Sequence, residues 1–348
     1  MKFKEEKKFA GHRDQLFRIN RLTMQDGKES GVQLIDISNR SGMHFDVNTS
    51  RGLDIPYFEY HGENIGYISP CGIVHPSYFD DKGLGFLKSF TAGFLTTCGL
   101  KSIGSPGEYE GKEYGLHGNI SNTPAENVSH KVIETDEPYL KIEGDVRDAL
   151  IFGDRMTLHR TIRCNYKERK IYLHDTVTND GSRRARHMIL YHCNIGYPLL
   201  TPSSEVYIPS LEVTPRNEHS ATGVDHWMNL EEPNPQYEEM CYYHRLKRDE
   251  NNYARVAVFN PELGFGVSIE FDAATLDQFV QWKMMGANDY VLGLEPGNAT
   301  IDSLSDAISN GSMKYLQPDE SVEYHLTFSI LDGRCEFEAM KNYMNLGE

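Results

Sequence analysis

The run Val322-Glu323-Tyr324-His325-Leu326-Thr327-Phe328-Ser329-Ile330 alternates apolar and polar side chains without a break. Successive side chains of an extended chain point to opposite faces, so this period of two describes a β-strand with one buried face. Working outward from it, alternating or β-branched runs of strand length recur at 16–22, 32–37, 128–133, 140–146, 157–164 and 171–177, and again at 188–195, 254–259, 266–271 and 290–295. Turn chemistry separates them at Asn39-Arg40-Ser41-Gly42, Asn179-Asp180-Gly181-Ser182 and Asn260-Pro261-Glu262-Leu263-Gly264, the composition of hairpin connections. Helical period is confined to 336–344 and to a short stretch near 301–308 with Asp302 in its first turn. Strands and helices do not alternate, which disfavours a parallel doubly wound sheet. The chain is expected to be all-β.

A length of 348 residues allows two ordinary domains or one unusually large one. The absence of internal repeats and of a low-complexity linker favours a single domain over 1–348, with 1–14 and 335–348 as peripheral extensions. The longest irregular stretches, 70–90, 104–118 and 209–236, are rich in Gly, Pro, Ser and Asn, and loops of that length on a compact sheet usually form functional walls or lids.

Charge narrows the partners. With 35 Lys and Arg against 51 Asp and Glu, the formal charge of −16 repels phosphate backbones and anionic membrane surfaces. The short basic run Arg183-Arg184-Ala185-Arg186 reads as a solvated turn, so neither nucleic acid nor membrane is an expected partner. The N-terminal Met1-Lys2-Phe3-Lys4-Glu5-Glu6-Lys7-Lys8 lacks the apolar stretch of a secretory signal, and a cytoplasmic protein is expected. Cys71, Cys98, Cys164, Cys193, Cys241 and Cys335 form no C-x-x-C pair, which suits reduced thiols better than disulfides or a zinc site.

Five places carry chemistry. His117 stands between glycines in Tyr114-Gly115-Leu116-His117-Gly118-Asn119, a backbone context that lets a ligand approach closely. In Met188-Ile189-Leu190-Tyr191-His192-Cys193-Asn194, the two-residue period places His192 and Asn194 at the end of an apolar stripe. In Tyr290-Val291-Leu292-Gly293-Leu294-Glu295-Pro296-Gly297, Glu295 shares a face with Val291 and Gly293, and the glycine is expected to leave room beside the carboxylate for a sugar ring. Gln278-Phe279-Val280-Gln281-Trp282-Lys283 presents Trp282 on one face, with Gln281 and Lys283 on the other. Arg51-Gly52-Leu53-Asp54 offers both charges in one short span, for which a mutual ion pair is the simplest account. Phosphate-loop, dinucleotide, nucleophile-elbow and H-E-x-x-H motifs are all missing.

The ordered set Gly115-Leu116-His117-Gly118, Tyr191-His192-Cys193-Asn194 and Leu294-Glu295-Pro296 resembles the aldose 1-epimerase (galactose mutarotase) superfamily. Arg51-Gly52-Leu53-Asp54-Ile55, Leu95-Thr96-Thr97-Cys98-Gly99-Leu100 and Gly293-Leu294-Glu295-Pro296-Gly297-Asn298 resemble more closely its mutarotase-related branch known as a domain of unknown function, over about residues 12 to 330. The resemblance implies a β-supersandwich of large antiparallel sheets that binds a free monosaccharide. It also implies Glu295 as the general base at the anomeric hydroxyl, His192 as the general acid at the ring oxygen, and His117 holding the substrate or assisting the acid. Such chemistry needs no cofactor and no metal, and it is expected to use an ionised Glu295 beside a protonated His192. Typical mutarotases carry an arginine before the Leu-His-Gly motif; 93–100 has none here, which leaves Arg51, Lys101 or Lys283 as expected substitutes. The expected site therefore comprises Glu295 and His192 as the catalytic pair, with His117, Asn194, Arg51, Asp54, His75, Trp282 and Lys283 around a small sugar, in a chain that could pair as a homodimer. Two alternatives are a metal-assisted isomerase acting at another sugar carbon, with ligands from His75, His117, His192 and Glu295, and a carbohydrate-binding protein without turnover.

Overall fold

The structure, a computed structural model, describes residues 2–345. Every stretch expected to be extended is a strand, and the strands assemble into large antiparallel sheets with few short helices. An eight-stranded sheet runs in the order Glu126–Ile133, Tyr139–Ala149, Arg155–Asn165, Lys170–Asn179, Ser321–Asp332, Phe265–Asp272, Tyr253–Asn260 and Glu205–Tyr207. Its first four strands form a meander, and the alternating run 322–330 becomes a central strand of the sheet. The edge strand Glu126–Ile133 carries a register shift between Glu126 and Ser129, and the opposite edge is only Glu205–Tyr207.

A second sheet orders Ser210–Pro215, Met240–Leu246, Gln278–Gly286, Asp289–Gly297 and Ala185–Ile195, with Leu95–Leu100 pairing the last of these. Alternation along Ala185–Ile195 gives the sheet two unlike faces. Ile189, Tyr191, Cys193 and Ile195 enter the main core, where they join Ile142, Leu158, Ile162, Leu326 and Phe328 of the first sheet. Met188 and Leu190 face the other way, into a smaller cluster with Val280, Ile301 and Leu304. Each such large apolar side chain, once buried, contributes roughly 1.5–3 kcal/mol. A five-stranded sheet, beginning Arg18–Thr23, Gln33–Ser38 and Met43–Asn48, closes the main core with Ile35, Ile37, Phe45 and Val47. Both chain ends are anchored by single aromatics, Phe3 edge-on to Tyr166 and Phe337 stacked on Phe259, while the expected 335–348 extension reaches past the described residues. Among the described residues, no helix is long and apolar enough to cross a membrane.

Three stretches differ from expectation. The short helix is Leu304–Ser309, capped by Ser303 and Asp306 in a reciprocal box, so Asp302 lies before its first turn. The expected loop 104–118 contains the hairpin Gly107–Tyr109 and Lys112–Tyr114, and 209–236 opens with the edge strand Ser210–Pro215. Proline at a strand end is tolerated on an edge, where no ladder hydrogen bond is lost.

The two large sheets are joined by more than apolar contact. Arg160, fully buried, donates from Nε and Nη2 to both oxygens of Asp175 at 2.9 and 2.7 Å. It also donates from Nη1 to Asp54 at 2.9 Å and from Nη2 to Thr97 Oγ1 at 2.8 Å. Tyr191 donates its hydroxyl to Asp175 at 2.7 Å, and Thr97 donates its own to Asp54 at 2.6 Å. Burial opposes the arginine's charge, but Asp175 and Asp54 outweigh it and raise its pKa. Removing one partner of such a network leaves buried charge uncompensated. Arg160→Met is therefore expected to lower unfolding stability by about 3–5 kcal/mol, read from urea denaturation, whereas a value near zero would mean the network carries no structural load.

Candidate active site

The face of the second sheet turned away from the main core carries the candidate functional side chains. The pairings Leu190 with Gly297 and Cys193 with Leu294 keep one register, which sets His192 opposite Glu295 and Asn194 opposite Gly293. Cross-strand neighbours share a face, so the imidazole and the carboxylate meet there. His192 Nε2 lies 3.3 Å from Glu295 Oε1, with the residues 5% and 1% exposed. The approach does not have hydrogen-bond geometry: Glu295 Oε1, His192 Nδ1 and Asn194 Oδ1 are all buried without a hydrogen-bond partner, while Asn194 Nδ2 donates to the His192 carbonyl. Buried polar atoms are nearly always satisfied, so three orphans at one spot make this the candidate site.

Gly293 decides where the carboxylate rests. A Cβ on that glycine would stand 2.4 Å from Glu295 Oε1 and 2.9 Å from the Trp282 Cβ. The room expected for a sugar ring is thus taken by the carboxylate itself and by Trp282, because the register places Trp282 beside Gly293 on the same face.

His117 reaches the pair from the loop side. Its backbone is left-handed, with φ 60°, and it is fixed by donation from its N–H to the Gly104 carbonyl and acceptance from the Gly99 N–H. The Gly104 N–H also points at His117 Nδ1 at 3.4 Å, which leaves Nε2 as the protonated nitrogen. The His117 and His192 rings stand edge to face at 5.6 Å. Phe90 and Trp282 complete an aromatic frame, 5.3 and 5.4 Å from the His192 ring, and Trp282 donates its indole N–H to Glu239 at 2.7 Å. Phe90 comes from the 70–90 loop and, with Trp282, borders a cleft of about 410 Å³ that also touches Tyr67, Glu239 and Asp289.

Burial governs the protonation of this group. Desolvation pushes His192 down to about 4 against a smaller opposing pull from the Asn194 side chain, and it lowers His117 strongly, with His192 adding to the effect. Desolvation likewise raises Glu295 well above the usual carboxylate range, helped by Glu239 and opposed by Arg216. The expected ionised Glu295 and protonated His192 are therefore reversed: the closed site holds a protonated carboxyl beside a neutral imidazole, because neither charge has solvent to stabilise it.

Several expected site residues stand elsewhere. Arg51 and Asp54 do not pair with each other. Arg51 donates to the carbonyls of Ser89, Val74 and Ser121 and to Thr91 Oγ1, with its closest contact 2.6 Å, whereas Asp54 belongs to the Arg160 network. A tight turn between them sends the two side chains in different directions, and both are buried structural groups. Lys283 does lie on the face opposite Trp282, where it pairs with Glu231 at 2.8 Å, so it cannot reach a ligand lying on Trp282. Lys101 is paired with Asp148 at 2.7 Å. His75 caps the turn Pro76–Tyr78 through Ser77 and makes no contact with the His192 group. The cation that sequence reasoning missed is Arg216, whose charge acts on both Glu295 and His117. It follows the edge strand inside a stretch expected to be loop, held by Ser105 Oγ at 2.7 Å and the Ile301 carbonyl at 3.2 Å, and no local motif announces it. Among the described residues, the sets of three or more potential metal ligands within 4.8 Å of one another are Asp36/His44/Asp46 and His174/Glu323/His325. Neither set contains His75, His117, His192 or Glu295, so the metal-assisted alternative has no assembled ligand set at this site.

Residues 29–330 match the model of the family described as Domain of unknown function (DUF4432). Among solved structures, a Klebsiella pneumoniae protein provisionally named an aldose 1-epimerase is 26% identical, with a TM-score of 0.92, over 96% of this chain and 90% of its own. A galactose mutarotase-like protein from Clostridium acetobutylicum is 15% identical, with a TM-score of 0.63, over 91% of this chain and 99% of its own. A galactose 1-epimerase from Lactobacillus acidophilus is 11% identical, with a TM-score of 0.58, over 91% and 100%. No protein with a curated description matches the sequence.

The packing over Gly293 makes a local forecast. Gly293→Ala should displace the Glu295 carboxylate or Trp282 and cost about 1–3 kcal/mol in urea unfolding, as overpacking does. A neutral substitution would show that the carboxylate does not need that gap.

Proposed function

Because the chain belongs to the family described as Domain of unknown function (DUF4432), and shares the fold of the galactose mutarotases, we propose that it interconverts the anomers of a free monosaccharide with Glu295 and His192 as its acid–base pair. The observation that carries this reading is the meeting of an imidazole and a carboxyl at 3.3 Å, both buried, on one face of a rigid sheet, with orphaned polar atoms turned to no protein partner. A purely structural pair would have found hydrogen bonds.

Anomer exchange needs a proton taken from the C1 hydroxyl while another is given to the ring oxygen. The pair carries one proton whichever partner holds it. Before sugar binds, that proton rests on Glu295; sugar hydroxyls that donate to the carboxylate favour its charged form and pass the proton to His192. Glu295 then accepts the C1 hydroxyl proton, His192 delivers its own to the ring oxygen, and the C1–O5 bond breaks to an open-chain aldehyde. Rotation about C1–C2 and closure on the other carbonyl face return both protons and yield the opposite anomer. His117, with Nε2 protonated, is a hydrogen-bond donor to a hydroxyl, and Trp282 offers an apolar face to the sugar's C–H groups. Phe90 lies against His192, so the sugar enters by displacing the 70–90 loop that carries it.

Two measurements test the reading. In saturation-transfer NMR across free aldoses, ketoses and uronic acids, Glu295→Gln should keep sugar affinity within several-fold but lose about 10²–10⁴ of the exchange rate. Parallel loss of binding and exchange would refute the base role, and binding without exchange in the parent would leave a carbohydrate-binding protein. The pH dependence is equally specific. With His192 lowered to about 4 and Glu295 raised, the pair holds a single proton between the two titrations, so kcat/KM should fall on the acid side only as the pH drops through about 4 and on the alkaline side only as the raised Glu295 carboxyl loses its proton. A His192 imidazole that titrates at about pH 6.5 by NMR would instead indicate a charged acid with an ordinary pKa.

A further inference from the structure

The other large sheet carries a second constellation on its solvent face. His174 lies in Lys170–Asn179, and Glu323 and His325 lie in the neighbouring Ser321–Asp332. The register places His174 directly opposite His325, and Glu323 is two residues along the same strand, so all three side chains share one face. The two imidazoles stack nearly parallel, 9° apart with centroids at 4.3 Å. Both Nε2 atoms converge on a single oxygen, Glu323 Oε2, at 3.5 Å from His174 and 3.6 Å from His325. His174 Nε2 is enclosed and has no hydrogen-bond partner.

These spacings fit a particular ion. Zinc binds imidazole nitrogen at about 2.0–2.1 Å and carboxylate oxygen at about 2.0–2.2 Å, so neighbouring ligand atoms of a tetrahedron stand about 3.4 Å apart. The two nitrogen-to-oxygen distances already match that edge, whereas octahedral magnesium, at about 2.1 Å, needs edges near 3.0 Å and prefers oxygen throughout. Two imidazoles with one carboxylate suit zinc and its transition-metal neighbours. The ligands project from adjacent, fully paired strands in the interior of a sheet, so the backbone needs no rearrangement, and binding asks only that the two stacked rings turn out of parallel until both Nε2 lone pairs meet at one ion. The acidic cluster Asp36/His44/Asp46 differs in having its cations built in, with His44 2.6 Å and Arg18 3.0 Å from Asp36.

We propose that His174, Glu323 and His325 form a zinc site on the outer face of the eight-stranded sheet, three protein ligands with the fourth tetrahedral position open to water. The ion cross-links two central strands, and the proposal is independent of the sugar chemistry because its residues lie on the other sheet. Since a ligand that binds only the folded state raises stability by mass action, zinc should raise the melting temperature.

The test is a zinc titration of chelator-stripped protein, read by competition with a chromophoric indicator. One bound equivalent in the parent should be weakened at least about tenfold in His174→Ala, in His325→Ala and in Glu323→Ala, and the zinc-dependent rise in melting temperature should vanish with it. His192→Ala/Glu295→Gln should keep that equivalent, which separates this site from the sugar site. Cobalt in place of zinc should give the intense visible absorption of a tetrahedral ion. Zinc binding unchanged in all three variants, binding lost instead in Asp46→Asn, faint octahedral cobalt bands, or no binding by the parent would each overturn the assignment. All three side chains reach the surface, so melting of the metal-free variants serves as the folding control.

Discussion

A single buried cation underlies the arrangement of the molecule. Arg160 projects from the eight-stranded sheet and takes hold of Asp54, Asp175 and Thr97, while Tyr191 completes the group through Asp175. Thr97 and Tyr191 belong to the second sheet, on the paired strands Leu95–Leu100 and Ala185–Ile195. Because side chains alternate, fixing Tyr191 toward the core also fixes His192 in the opposite direction. Such a charge is worth having between sheets only if every partner is present, since desolvation otherwise exceeds the Coulombic gain. The Arg51–Asp54 segment therefore supports the strand that carries His192 from the core side, through Asp54 and its bonds to Thr97 and Arg160.

On the outward face of the second sheet the balance is set by the absence of water around His192 and Glu295. A carboxyl and an imidazole are both driven neutral by the same surroundings, and this keeps the total proton count of the pair at one. Glycine at position 293 lets the carboxyl fold down beside Trp282. Its geometry is thus determined by a missing side chain as much as by its own strand.

Much of this was open to a reader of the sequence, and for a physical reason. Strands with one face in the core leave a two-residue rhythm, so 140–146, 171–177 and 322–330 could be placed from the letters alone. Leu95–Leu100 is buried on both faces, and its Leu-Thr-Thr-Cys-Gly-Leu shows no rhythm to read. Met43–Asn48 does alternate in its letters, yet its polar members Asp46 and Asn48 are buried rather than exposed. The coming together of His117, His192 and Glu295 could be expected from family resemblance, but their charge states could not, since these depend on enclosure by Phe90, Trp282 and their neighbours. Proximity in sequence misled at Arg51 and Asp54, where a turn separates what the chain sets side by side, and Arg216, whose charge acts on Glu295, stands just past an edge strand that looked like loop.

The borders of the eight-stranded sheet carry a consequence for self-association. An unpaired border strand is a template for another chain, and here one border is kinked by its irregular pairing near Asn127 while the other offers only three residues beside the Arg334–Glu205 ion pair. A long run of hydrogen-bonding groups is offered at neither side. Two copies of this protein are therefore not offered a continuous ladder through the borders of this sheet.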